Sequence, residues 1–244
     1  MEYTNDELKI YRGKDFVVND NIVIHQPTLD EIVDFGEQEY WNTVYTFTAT
    51  PTDMKYHLSL IGVDWNDIDD WEGFRYFYKV FTPDMTGLIF GDIDFSKYEQ
   101  MRNVSNDEIV LYDIETDSII DRSIYKIITD YLRETHCIKY NVEHARNNAT
   151  KRVLIEDAKD EYERNKDKPF TSSLKPLIST MCCMEGFKYN QNTVWDMKIN
   201  AFMDAVQSIL HIKNADLLLQ SGYSGFGIDL KKINKKQLNY FRNA

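Results

Sequence analysis

Residues 111–120, with the sequence LYDIETDSII, have the spacing in this chain that most resembles a catalytic metal site. Two carboxylates, Asp113 and Glu115, follow an apolar run and precede Thr116. This is how the first active-site strand of a metal-dependent exonuclease presents its ligands. Such a site holds two magnesium ions about 3.5 to 4 Å apart, and one of them activates water. The segment therefore raises the hypothesis of a magnesium-dependent nuclease.

The rest of the chain does not supply the other ligands at a suitable spacing. The candidates are Asn200, Asp204, His211 and Asp216. Asp204 and His211 are only seven residues apart, on one predicted helix, whereas strands and helices should separate the motifs of such an enzyme. An alternating strand with one apolar face and one wet face, carrying Asp113 and Glu115 on the wet side, explains the segment better. We therefore expect no enzymatic activity and no catalytic residue, and keep the magnesium-dependent nuclease as an alternative.

Other groups of polar residues also favour structural roles. Asp92, Asp94 and Ser96 begin like a calcium loop, but the glycine and the final glutamate of that motif are missing. The acidic run between Asp64 and Asp70 is typical of a helix N-terminus, where carboxylates are stabilised. The three cysteines, Cys137, Cys182 and Cys183, are expected to be small core residues. No metal or cofactor is expected.

Charge and composition limit the classes of partner. The chain of 244 residues has a net charge of −12 and is 43% hydrophobic, so it should fold and stay soluble. An acidic protein repels phosphate backbones, which argues against nucleic acid as a partner. The sequence has no run of 18 apolar residues, and its first ten residues lack a basic and apolar leader pattern, so we expect a cytoplasmic protein with no membrane partner.

The order of patterns along the chain predicts three segments. Residues 1–140 should form an N-terminal α+β domain that begins with a small hairpin around Asn19-Asp20-Asn21. Thr28 and Glu31 form a capping box before a helix. Residues 141–168 are mostly charged and predict a connecting helix, and residues 169–244 predict a helical region. The expected fold class is therefore α+β and mostly helical, with a small N-terminal β-hairpin or sheet.

The last long helix has an apolar face that should pack internally. Its predicted members are Trp195, Ile199, Phe202, Val206 and Ile209, with Thr193 and Asp196 as an approximate capping box. Beside this face, Met181, Met184, Met203 and Leu210 are the residues we expect to bind a partner. Methionines adapt to irregular surfaces, but they are equally at home in a core. A turn at residues 222–229 is expected to pack Tyr223 and Phe226 against the helices.

Three stretches carry a resemblance to a known family. They are residues 27–65, which begin PTLDEIVDFGEQEYW, residues 89–100, which read IFGDIDFSKYEQ, and residues 176–241, which begin PLISTMCCMEGF. They resemble bacteriophage morphogenesis proteins of low-GC Gram-positive hosts, whose members are similar to tail assembly chaperones. The resemblance implies a non-enzymatic factor that binds the tape-measure protein and helps to recruit tail-tube subunits.

From this resemblance we expect a phage tail assembly factor that acts in the host cytoplasm. Its partners would be the tape-measure and tail-tube proteins, and it could also form a homo-oligomer. The alternative is a structural virion component, such as a tail, neck or baseplate protein.

Overall fold

The fold is α+β and mostly helical, as predicted, in a computed structural model that describes residues 7–224, 227 and 229–241. The helices of the described residues are α1 (Glu7–Tyr11), α2 (Leu29–Phe35), α3 (Glu37–Thr48), α4 (Lys55–Leu60), α5 (Asp70–Phe77), α6 (Pro83–Phe90), α7 (Arg122–Thr135), α8 (Asn148–Asn165), α9 (Leu174–Cys182) and α10 (Ile199–Tyr223).

The described strands form two antiparallel sheets. They are β1 (Phe16–Val17), β2 (Val23–Ile24), β3 (Glu99–Arg102), β4 (Ile109–Asp113) and β5 (Ser118–Ile120). β1 and β2 form the predicted hairpin, with Phe16 opposite Ile24. β3, β4 and β5 form a meander in which β4 is central, with Leu111 opposite both Gln100 and Ile120. Short connections suffice because antiparallel neighbours are adjacent in the chain.

Side-chain caps start several helices where the sequence predicts them. Thr28 accepts a hydrogen bond from the amide of Glu31 at 3.2 Å, and the Glu31 carboxylate accepts one from the amide of Thr28 at 2.6 Å. Asp69 and Glu72 make the same reciprocal pair at the start of α5. Each pair satisfies two backbone amides that have no partner within the helix. The acidic run before Trp71 thus has the predicted capping role.

Aromatic side chains dominate the core of the first 140 residues. Phe47 on α3 is 1% exposed, and its ring lies 4.9 to 5.4 Å from four other phenylalanine rings, those of Phe74, Phe81, Phe90 and Phe95. These rings come from α5, α6 and the loops beside them. Aromatic pairs at such separations contribute packing energy beyond the area that they bury. The cluster fixes α3 against α5 and α6.

The C-terminal helices contribute to the same core. The amide of Leu29 donates to the carbonyl of Met197, and the amide of Ile199 donates to the carbonyl of Pro27, both at 2.9 Å. Phe202 is fully buried in the cluster that also contains Leu29 and Phe47. Residues on both sides of segment 141–168 therefore share one hydrophobic core. The three-segment division of the chain remains a prediction.

Helix α8 is a solvated helix, as its charged sequence indicates. None of its described side chains is buried. Its half-buried residues Leu154 and Ile155 pack against a small second cluster around Leu58 and Trp65. Asn147 caps the helix by accepting from the amide of Thr150 at 2.9 Å. α8 is thus attached to the body through α4 and one thin apolar stripe.

Three local predictions are wrong. Trp195 is not on the last helix, because residues 194–196 form a 3-10 turn and α10 starts only at Ile199. Thr193 does not cap that turn; its hydroxyl instead accepts from the amide of Asn190. The cysteines are not core residues, since Cys137 and Cys183 are exposed and Cys182 is half-buried.

The C-terminal turn also differs from its prediction. Tyr223 is 81% exposed and does not pack back on the helices, while Phe226 lies outside the described residues.

Among the described helices, none has the length and apolar character needed to span a membrane.

Candidate interaction surface

The carboxylates that suggested a nuclease form a hairpin turn. Asp113 is buried, and its carboxylate accepts hydrogen bonds from the amide of Glu115 at 3.0 Å and the hydroxyl of Thr116 at 2.6 Å. Glu115 lies beyond the end of β4, in the turn, and pairs with Lys97 at 2.6 Å. The prediction that both lie on a wet strand face is therefore wrong. Asp113 faces inward because it closes the β4–β5 turn.

The remaining candidate ligands are not gathered around Asp113. His211 and Asp216 lie on α10, where the carbonyl of Asn239 and the hydroxyl of Tyr240 are their partners at 2.7 Å each. Asp94 caps a 3-10 turn by accepting from the amide and hydroxyl of Ser96, as a solvated turn requires. Within the described residues, no group of three or more His, Cys, Asp or Glu side chains is placed to hold a metal ion.

A buried histidine joins α7 to α3. His136 is 5% exposed, and the hydroxyl of Tyr40 contacts its Nε2. Its Nδ1 lies 2.7 Å from the carbonyl of Leu132, which can only accept, so Nδ1 carries a proton and donates it to this carbonyl. Burial lowers the pKa of His136 to about 4. Both ring nitrogens are satisfied within the core, which makes this a structural histidine.

Helix α10 is buried at its beginning and exposed at its end. Ile199, Phe202 and Val206 are at most 5% exposed, which confirms that the predicted apolar face packs internally over these turns. Beyond Val206, Ala215 is the only residue of the described helix that is buried. Twenty-five residues of α-helix extend about 37 Å at 1.5 Å per residue, and most of the buried side chains of α10 lie within its first eight residues.

The four residues predicted to bind a partner have different environments. Met181 is 2% exposed and belongs to the core, so it does not line a surface in this structure. Met184 and Met203 are half-buried and pack against the edge of the core. Leu210 is 52% exposed. Of the four, Leu210 is available for contact as it stands, and Met184 and Met203 are available in part.

A stripe of three residues runs along α10 from the core to the exposed end. Met203, Leu210 and Leu217 are seven residues apart, which is almost two helical turns, so their side chains point in nearly the same direction. Leu217 is 66% exposed. We call these three residues the leucine stripe. Large apolar side chains repeated along one face in this way are typical of a helix that docks against another helix.

The chain after α10 packs on a different side of the helix. We call residues 229–241 the C-terminal segment. Asn239 and Tyr240 contact His211 and Asp216, and Ala215, which lies between these two in the sequence, is fully buried. The side chain of Leu230 lies so close to Gly222 that a Cβ at this position would clash with it. The segment therefore covers one side of α10 and leaves the leucine stripe open.

Leu217 was not among the partner-binding residues predicted from the sequence, although the sequence contains a signal for it. Leu217 follows Leu210 at the same interval of seven residues that separates Leu210 from Met203. Its neighbours Leu218 and Leu219 make a continuous apolar run in which no single face stands out. Only the packing of the C-terminal segment shows which of the three leucines remains exposed.

Comparison with known families relates the end of this chain to a phage protein. A family model described as the YomV second domain matches residues 164–244, about a third of the chain. YomV is a protein of a Bacillus phage region, and the match is consistent with a phage protein. No curated protein and no solved structure matches the chain. The matched residues include α9, α10 with the leucine stripe, and the C-terminal segment.

Proposed function

We propose that this protein is a non-enzymatic phage tail assembly factor that acts in the host cytoplasm. It binds the tape-measure protein, and helps to recruit tail-tube subunits, before the tube closes around the tape measure. The tape measure is a long amphipathic helical chain whose apolar face would aggregate if it were left uncovered.

The observation that carries this proposal is the exposed half of α10. Leu210 and Leu217 are both more than half exposed on a helix that has its first turns anchored in the core. A rigid helix that presents an apolar stripe matches the helix-in-groove and helix-to-helix modes of peptide recognition. Anchoring at Phe202 reduces the ordering cost of binding, because the stripe is formed before the partner arrives.

The charge of the molecule supports the same role. A net charge of −12 keeps a protein with exposed leucines soluble and disfavours binding to nucleic acid or to anionic membranes. It does not disfavour a helical protein partner, whose contact with the stripe is apolar.

Co-expression with the tape-measure protein of the same phage tests this proposal. The tape measure should be found in the soluble fraction and should elute with the affinity-tagged chain. A tape measure that is equally soluble without this protein, and that does not elute with it, would contradict the proposed function.

Mass spectrometry of purified particles separates an assembly factor from a virion component. An assembly factor is expected to be missing from the finished particle. Recovery of this chain at a stoichiometric ratio to the tube protein would favour the alternative of a structural tail, neck or baseplate component.

A further inference from the structure

The C-terminal segment carries a charge opposite to that of the rest of the molecule. It contains four lysines and one aspartate, in a chain with a net charge of −12. Lys232, Lys235 and Lys236 are exposed, and none of them forms an ion pair with another described residue. Phe241, at the end of the segment, is 75% exposed. The segment thus presents an aromatic ring together with unpaired positive charge.

A complementary face lies on α2. Residues 29–48, which form α2 and α3, contain five acidic residues and no lysine or arginine. On the outer face of α2, Asp30, Val33 and Asp34 have the i, i+3, i+4 spacing that brings side chains together on a helix. Val33 is 55% exposed, and the two aspartates are exposed and form no ion pair within the described part of the chain.

We infer that the protein associates head to tail with a second copy of itself. The C-terminal segment of one copy docks on the α2 face of the next, where its lysines meet Asp30 and Asp34. Phe241 covers Val33. Each surface meets a different surface on its neighbour, so the contact is heterologous and can add further copies rather than stopping at a dimer.

A second copy fits this surface better than a symmetric contact between two C-terminal segments. Two segments facing each other would bring their lysines together, and the repulsion between these like charges would oppose a symmetric pair. A second copy carries the acidic and apolar α2 face that the segment lacks. This interaction is separate from the leucine stripe and does not depend on the tape measure.

Association should depend strongly on salt. Each exposed ion pair contributes little binding free energy, so a contact made of several such pairs and one apolar contact is a weak complex. At about 0.01 M salt, where the screening length is about 30 Å, the average mass in sedimentation should rise with protein concentration above 28.8 kDa. At about 1 M salt, where that length is about 3 Å, it should return to the monomer value.

Charge reversal on each surface tests the contact directly. Lys235→Glu/Lys236→Glu should abolish the rise in mass, and so should Asp30→Lys/Asp34→Lys. A mixture of the two variants should associate again, because each reversed surface then finds an unlike charge on the other variant. The matched control is Lys139→Glu/Lys188→Glu, which changes the net charge equally at two exposed lysines that have no ion pair among the described residues.

Three results would overturn the inference: a monomer at every concentration in low salt, an equal loss in the control, or no association in the mixture. Circular dichroism of each variant checks that it is folded. Capture of the tape measure should survive Lys235→Glu/Lys236→Glu, and self-association should survive Leu217→Glu. The inference and the proposed function can therefore fail independently.

Discussion

At the scale of single residues, the polar groups that attract attention in the sequence hold the fold together. His136 accepts a proton poorly because its ring is enclosed by the core and already bonded to Tyr40 and Leu132. A second proton would bury a positive charge and would remove the acceptor that the Tyr40 hydroxyl uses. Protonation of His136 should therefore lower the stability of the protein as the pH falls.

Lowering the pH from 7.5 to 5 should destabilise the fold by about 2 kcal/mol through His136. In the unfolded chain a histidine has a pKa of about 6.5, while in the fold the pKa is about 4. As the pH falls, the unfolded state therefore binds the proton first. The stabilisation that neutral His136 gives to the fold is complete above pH 6.5 and declines as the pH approaches 4. Urea unfolding at both pH values measures the difference.

The variant His136→Gln serves as the control for the pH experiment. It should be less stable than the natural chain at pH 7.5 and should lose about 2 kcal/mol less on acidification. An equal loss in both proteins would assign the pH dependence to other groups.

Asp113 provides a second test at the residue scale. Because its carboxylate is used by the amide of Glu115 and the hydroxyl of Thr116, Asp113→Ala should lower the free energy of unfolding by roughly 1 to 3 kcal/mol. Magnesium at millimolar concentration should leave the melting temperature of the natural chain unchanged. A metal site would raise it, because a ligand that binds only the folded state stabilises it.

A magnesium-dependent nuclease activity that is lost in a folded Asp113→Ala variant would contradict this account of the turn.

At the scale of secondary structure, α10 combines an anchor and the proposed docking surface in one helix. Its first turns hold Phe202 in the core, and its later turns present the leucine stripe. Substitutions in the two halves of α10 should therefore affect different properties of the protein. We expect the anchor to determine stability and the stripe to determine binding.

Phe202→Ala should destabilise the fold by roughly 3 to 5 kcal/mol, because it leaves a cavity where a fully buried ring was packed. Leu217→Glu should change the free energy of unfolding by at most about 0.5 kcal/mol, since it alters an exposed position. Thermal and urea unfolding measure both values. If Leu217→Glu destabilises as much as Phe202→Ala, the second half of α10 belongs to a packed core.

Much of this element could be predicted from the sequence, and the remainder depends on packing. The i, i+3, i+4 pattern identifies Ile199, Phe202 and Val206 because local periodicity determines which helix face is apolar. The same pattern extended wrongly to Trp195, because residues 194–196 form a 3-10 turn and the backbone after it is extended, where Met197 and Ile199 bond with Leu29 and Pro27. No local rule predicts such a tertiary contact.

The methionines show the same limit for the candidate site. Met181 and Met184 are three residues apart on or beside α9, yet Met181 is buried and Met184 is not. Sequence alone assigns both residues the same flexible apolar character. Which of them the core encloses depends on how α9 packs into the core, and that position comes from contacts distant in the chain, such as the hydrogen bond that the amide of Leu174 donates to Glu37 at 2.9 Å.

At the scale of the whole molecule, an acidic chain carries the exposed leucine stripe and the basic C-terminal segment among its described residues. In our proposals, the stripe is the surface for a helical partner, and the basic segment is the contact with another copy. The match to the YomV second domain includes both the stripe and the segment, and leaves α2 outside it. We therefore expect the stripe to be the part of the molecule on which the proposed function depends most.

The binding of the tape-measure protein to Leu217→Glu tests the central claim most directly. The natural chain and the variant would be titrated with the same purified tape-measure segment, and the control would be Val104→Glu, which introduces the same charge at a fully exposed valine between β3 and β4. Burial of one leucine is worth about 1.5 to 3 kcal/mol, so the dissociation constant should rise by at least about tenfold in Leu217→Glu and remain unchanged in Val104→Glu. Equal affinity of the natural chain and Leu217→Glu for the tape-measure segment would contradict the claim that the leucine stripe is the binding surface.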